Sequence, residues 1–206
     1  MDAARRSIKL PAMLNRLDDT ALMLRYRDDG DMAAFEMLYS RHRAPLYRYL
    51  LRQCGDAQAA EDLFQEAWLR IIRARETYRP TARFNTYLYR LAHNCLVDRY
   101  RQAGRRPVEA DCDHEDAAGE TVGERPVEDE AERLQTAARL RVALDALSRE
   151  QREAFLLHQE TGLTLDEIAA VVGVGRETIK SRLRYAVNHL RARLAGHMTE
   201  LTGAAS

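Results

Sequence analysis

Apolar side chains in this chain recur every three or four residues and nowhere every second one, which removes β-sheet from consideration and predicts an all-α fold. The clearest stretch is Glu61–Ile72, where Leu63, Phe64, Ala67, Trp68, Ile71 and Ile72 fall on one face, with Asp62, Gln65, Glu66 and Leu69 on the other. Capping residues mark where the helices begin. Asp31 and Asp56 are N-cap candidates, and Ser148-Arg149-Glu150-Gln151 and Thr164-Leu165-Asp166-Glu167 each read as a capping box. A short helix is expected near Leu22–Arg27, and a long one after Asp31 that Pro45 should kink. An aromatic-basic helix should run from the Thr81–Asn85 break to about Gln102, and further helices should cover 134–147, 149–161, 165–172 and 176–194.

Charge divides the chain where periodicity does not. Net charge is zero over 206 residues, yet Arg73–Arg106 holds nine Arg against two acids, and Val108–Arg133 holds eleven acids against two Arg. The acidic run is punctuated by Gly and Pro and has few large apolar side chains, so it reads as a flexible linker. The expected organisation is an N-terminal arm over 1–20, a helical domain over 21–103, the linker over 104–132, a second helical domain over 133–196 and a tail over 197–206. Three cysteines without a CxxC pair, and no apolar run of signal-peptide or membrane-span length, predict a reduced, cytoplasmic protein with no membrane insertion. His93 and Cys95 alone make a poor zinc site, so no metal and no cofactor are expected. Without a phosphate loop, a nucleophile triad or paired carboxylates, no enzyme is expected and no residue is assigned a catalytic role.

Three surfaces carry recognisable chemistry. Thr164–Arg184 reads as a helix-turn-helix around Gly173-Val174-Gly175, with Ile168, Ala169, Val172, Val174, Ile179 and Leu183 at core spacing. Arg176, Thr178, Lys180, Ser181, Arg182 and Arg184 stud its second helix with groups that bond base edges and phosphates. In the aromatic-basic helix, Tyr87, Tyr89 and Tyr100 interleave with Arg90, Arg99 and Arg101. Such a pattern suits a single-strand stacking platform, and it equally suits a core helix with solvated arginines. The Asp62, Gln65 and Glu66 edge suits a protein partner, or water.

Four segments in order sharpen the reading. Asp31–Tyr39, Asp62–Ile71, Phe84–Asn94 and Leu165–Arg182 resemble regions 2 and 4 of bacterial sigma factors, and the two-domain brevity with an acidic linker resembles the extracytoplasmic-function (ECF) group. The resemblance implies that Asp62, Gln65, Glu66 and Leu69 dock on the β′ clamp helices of core RNA polymerase, with the β flap as a second contact. It implies that Arg79, Thr81, Arg83, Asn85, Tyr87, Arg90, Asn94, Arg99 and Arg101 hold the melted strand of the −10 element. The helix from Arg176 to Arg184 would read the −35 duplex, so that the partners are promoter DNA, as duplex and as single strand, and an anti-sigma factor. Many members of the family have Trp where Tyr87 stands and Gly where Glu177 stands; Glu177 sets an acid beside the expected DNA face. Two other functions fit the same helices: a helix-turn-helix regulator acting without polymerase, and an interaction protein that meets no DNA.

Overall fold

The computed structural model describes residues 14–104 and 127–203, in which eight α-helices and one short 3-10 turn occur without a strand. The first four are α1 (Asp19–Asp29), α2 (Met32–Cys54), α3 (Ala57–Arg73) and α4 (Phe84–Ala103), with the 3-10 turn Arg75–Thr77 between α3 and α4. The starts of α1, α2 and α3 are each fixed by an aspartate. Asp18 accepts from Ala21 N at 2.7 Å, Asp31 from Ala33 N and Ala34 N at 3.1 and 3.2 Å, and Asp56 from Ala59 N at 2.5 Å. Gly55 ends α2 at φ +70°, a conformation an L side chain rarely adopts, and so turns the chain directly into α3. Helix α2 is continuous across the half-buried Pro45.

The inner face of α3 behaves as its spacing requires, with Leu63, Phe64, Ala67, Trp68 and Ile71 buried. Trp68 packs edge-on against Phe35, ring centroids 5.7 Å apart, and tilted against Tyr39 at 5.0 Å. The expected arm over 1–20 differs at its end. Leu14 is buried in the core, and Arg41 pins the backbone after it by donating to the carbonyls of Asn15 and Leu17. A single buried leucine and two carbonyls caught by one guanidinium are enough to order a segment whose composition alone looks unstructured.

The second half comprises α5 (Val127–Asp145), α6 (Arg149–Thr161), α7 (Leu165–Val172) and α8 (Arg176–Gly203). Both capping boxes form. Ser148 Oγ accepts from Gln151 N at 3.3 Å, and Thr164 Oγ1 accepts from Glu167 N at 3.3 Å while Glu167 Oε2 accepts from Thr164 N at 2.9 Å. Gly173, at φ +77°, closes α7 and makes the sharp turn into α8. Helix α5 already begins at Val127, inside the expected linker, and α8 runs nine residues past Leu194 into the expected tail. Residues 105–126 of the linker, with Cys112, lie outside the described residues, as do residues 1–13 of the arm.

The two halves are not splayed. α4 packs on α7 and α2 packs on α6, so a single cluster of buried side chains extends from Leu14 to Leu190. Polar groups line the junction: Tyr49 Oη donates to Glu153 Oε1 at 3.1 Å, His93 Nδ1 lies 2.6 Å from the same oxygen, and Arg48 and Arg52 both bridge to Glu160.

Candidate nucleic-acid interface

Helix α3 presents its outer face as one stripe. At about 100° per residue, Asp62, Gln65, Glu66, Leu69 and Ile72 fall together, and Asp62, Gln65, Leu69 and Ile72 are exposed while Glu66 is half-buried. Ile72 was expected on the buried face. It lies at the margin of that face and is 43% exposed, beside Leu69 at 42%. The stripe is therefore acidic at one end and apolar at the other, a combination a solvated helix has no need of. Glu66 is held by Arg70, whose Nε donates to Oε1 at 2.8 Å, and a second nitrogen of the same guanidinium donates to Asp98 of α4 at 3.1 Å. Arg70 thus ties the outer face of α3 to α4.

The loop before α4 is anchored by Tyr78, which is buried with its ring 5.0 Å from that of Tyr87 and whose carbonyl accepts from Arg27 at 3.0 Å. Around that anchor Arg79, Thr81 and Arg83 are exposed. Arg83, the N-cap of α4, and Tyr87, Arg90, Asn94 and Arg101 on the helix itself share one stripe by the same helical arithmetic. All are exposed except Tyr87, which is half-buried between Tyr78 and Phe84. Four cations or amides with one partly open ring form the ribbon a single strand would follow.

Two expected members do not join it. Asn85 and Arg99 project from the opposite side of α4. Asn85 donates its amide to the carbonyl of Thr161 in α6 at 3.0 Å, and its Oδ1 is buried with no hydrogen-bond partner among the described residues. Of the three interleaved tyrosines only Tyr87 is available as a platform. Tyr89 is buried with its ring 5.3 Å from Tyr49, and burial pushes its hydroxyl far up. Tyr100 bonds the carbonyl of Gln53 at 3.1 Å and lies under the guanidinium of Arg149.

On α8 the buried face is Ile179, Ala186 and Leu190. Opposite it the centre of the outer face holds Glu177, Ser181, Arg184 and Tyr185, with Arg176 and Lys180 on one flank and Thr178 and Arg182 on the other. Ser181 spends its hydroxyl on the carbonyl of Thr178 at 3.0 Å, whereas Arg176 and Lys180 hold only loose pairs with Asp166 and Glu177, both at 3.6 Å. Loose exposed pairs exchange readily for phosphate. Tyr185, 56% exposed beneath Arg184, is the member of this face that residue-type reasoning passed over, because one tyrosine in a basic helix gives no periodic signal.

Among the described residues no group of His, Cys, Asp and Glu is placed to hold a metal, and no helix is long and apolar enough to cross a membrane.

Comparison with known proteins falls on the same two halves. The family model for Sigma-70 region 2 matches residues 38–106, and that for Sigma-70 region 4 matches 143–192. The chain is 34% identical over 166 residues to the ECF RNA polymerase sigma factor SigL of Mycobacterium tuberculosis, covering 80% of this chain and 91% of that one. It is 32% identical over 174 residues to the ECF RNA polymerase sigma factor SigE of Mycolicibacterium smegmatis, covering 84% of this chain but 66% of that relative's length. Among solved structures it is similar to CnrH in complex with the cytosolic domain of CnrY, with a TM-score of 0.64, 24% identity and coverage of 86% and 97%. The sigma factor RpoE bound to the anti-sigma factor NepR from Bartonella quintana follows, with a TM-score of 0.60, 23% identity and coverage of 78% and 96%. At those identities the structural likeness is one of fold, and it is the sequence matches that identify the family. With both regions present in order and relatives of this kind over four-fifths of its length, the chain belongs to the sigma-70 family, as an RNA polymerase sigma factor of the ECF group.

Proposed function

We propose that the chain docks on the β′ clamp helices of core RNA polymerase through the α3 stripe Asp62, Gln65, Glu66, Leu69 and Ile72. The α4 ribbon Arg83, Tyr87, Arg90, Asn94 and Arg101, with Arg79 and Thr81 from the loop, then holds the melted −10 strand. The outer face of α8 enters the −35 major groove, with Arg176, Lys180 and Arg184 supplying cations and Thr178, Ser181, Arg182 and Tyr185 around them. Asn85 and Arg99 are placed by their side of α4 to reach DNA only after a rearrangement. The chain itself makes and breaks no bond; it works in the cytoplasm as a polymerase subunit, with the β flap as the seat of its second half. The solved sigma factor RpoE is bound to the anti-sigma factor NepR, and we extend to this protein a partner of that kind.

The observation that carries this reading is the pairing of two unlike stripes on adjacent helices, one acid-and-apolar on α3 and one cationic on α4, clasped by Arg70 between Glu66 and Asp98. That is the arrangement of a part that must face a protein and a nucleic acid together. The test is co-purification of the tagged chain with core RNA polymerase, followed by run-off transcription on genomic fragments. Stoichiometric binding with new start sites is expected, lost in Asp62→Lys with Glu66→Lys. Duplex binding without any affinity for core would leave a helix-turn-helix regulator instead.

A further inference from the structure

Helix α8 carries cations on both flanks of its outer face and an acid on the centre line. Arg176 and Lys180 stand on one flank and Arg182 on the other, while Glu177 lies in the first turn, in line with Ser181 and Tyr185. The Glu177 side chain is 79% exposed, and its pair with Lys180, at 3.6 Å, is loose. The neighbouring acid, Asp166 of α7, faces Arg176 at the same distance. The space at the head of the helix is open: at both Gly173 and Gly175 a Cβ would meet no atom within 4 Å. The helix dipole favours an acid in a first turn, and any position of that turn would serve. This one is turned to the side that the cations flank.

We infer that Glu177 is a specificity-determining residue, which admits cytosine and turns away guanine and thymine at one base pair of the −35 element. The inference rests on the proposed seat of α8 in the −35 groove. In such a seat the N-terminal residues of the helix meet base edges, and groups on its flanks meet phosphates. Arg176, Lys180 and Arg182 are thus placed for phosphate, and Glu177 for a base. A carboxylate only accepts hydrogen bonds. In the major groove cytosine offers a donor, its N4 amino group, and adenine offers its N6 amino group beside the acceptor N7. Guanine offers two acceptors, N7 and O6, and thymine the acceptor O4 with a methyl group. The order for Glu177 is therefore cytosine, then adenine, with guanine and thymine disfavoured. A charge stripped of water without a donor to meet it is costly, so the residue acts chiefly by rejection. Ser181 lies four residues on, about 6 Å along the axis or about two base-pair rises, so Glu177 governs a position of its own.

The test uses holoenzyme assembled from core RNA polymerase and the full chain, as wild type, Glu177→Gln and Glu177→Ala. The exposed pair with Lys180 contributes little to the fold, so all three are expected to keep the wild-type melting curve by circular dichroism. The template is a promoter recovered by run-off transcription, with its −35 element randomised and its −10 element kept, and the −35 sequences that yield transcript are counted. Wild type is expected to favour C at one position, with G and T about tenfold rarer there. Glu177→Gln should move that preference to A, since an amide bonds adenine N6 and N7 together. Glu177→Ala should flatten the position by raising G and T, with the other positions alike in all three proteins. A gain at disfavoured sites is not what the loss of a merely structural contact produces. The same base preference in all three proteins overturns the inference, and so does a change spread evenly over all sequences. If the chain does not bind core, the sigma reading fails. Selection from fully randomised duplex by the chain alone then still decides Glu177, by the same shift from C to A.

Discussion

Helix α7 has only eight residues, too few to persist without help, and the help comes from Thr164. Its Oγ1 satisfies the N–H of Glu167, and Glu167 in return accepts from both the N–H and the hydroxyl of Thr164, each at 2.9 Å. Thr164→Ala removes the hydroxyl from both bonds and leaves the backbone donation to Glu167 in place. Loss of an N-cap of this type costs about 1 kcal/mol, which in a chain of this length lowers Tm by about 2–4 °C. Glu167→Gln separates cap geometry from charge, since an amide oxygen can still accept. The Thr164 N–H holds the Glu167 carboxyl below the usual carboxylate range, partial burial opposes this, and the Thr164 hydroxyl and Arg83 then add to the lowering. A carboxylate lowered on folding stabilises the native state above its ordinary range, about pH 4.3, and loses that contribution as pH falls through the lowered value. The advantage of wild type over Glu167→Gln should therefore be full at pH 7 and fade below about pH 4. Thermal melts by circular dichroism at pH 7, 5, 4 and 3 measure both effects. A Thr164→Ala variant melting within half a degree of wild type would refute the capping argument, as would a Glu167→Gln deficit that is unchanged at pH 3.

The remaining predictions concern the first half. Trp68 is buried among Phe35, Tyr39 and Phe64, so Trp68→Ala should cost about 3–5 kcal/mol in urea denaturation. Trp68→Phe should cost less than half of that, because it leaves a smaller void and removes an indole N–H that is buried without a partner among the described residues. Equal costs for the two would show that ring packing is not what holds α3 to α2. Burial raises the thiols of both Cys54 and Cys95 to about 11. Alkylation of the native chain by iodoacetamide at pH 8, mapped by mass spectrometry, should run on the order of a hundredfold slower at these two than for a free thiol. Labelling at the free-thiol rate would mean that the α2–α4 packing opens on the timescale of the reaction.

What could be read from the chain was what is local. Asp31, Asp56, Ser148 and Thr164 announce helix starts because a cap and its target lie two or three residues apart, and the structure uses all four. Stripes followed from spacing alone, with an error where spacing is coarse: Ile72 sits at the margin of the inner face of α3, and a period of 3.6 residues does not decide a marginal position. The tyrosines of α4 could not be sorted by type, because Tyr87 and Tyr89 have the same chemistry and lie two positions apart. Which of them meets Tyr49 is decided by α2, nearly forty residues away. Asn85 looked like a strand contact for the company it keeps in sequence, and the structure turns it toward Thr161. The closure of the two halves had no signature at all. Its contacts join Tyr49 to Glu153 and Arg52 to Glu160, more than a hundred residues apart, and neither end is unusual until the other is beside it.

The clasp at Arg70 has a consequence for how such a protein can diverge. One guanidinium answers to Glu66, on the face proposed to meet polymerase, and to Asp98, on the helix proposed to meet DNA. A lineage that alters Glu66 to retune its grip on one partner frees a cation to pull differently on α4 and shifts the ribbon that meets the other. On the proposed assignment, partner choice and promoter taste are inherited as a linked pair at this corner. On the same assignment, drift toward new promoters should come more cheaply through the outer face of α8, where Glu177 and Ser181 bond to neighbours within their own helix.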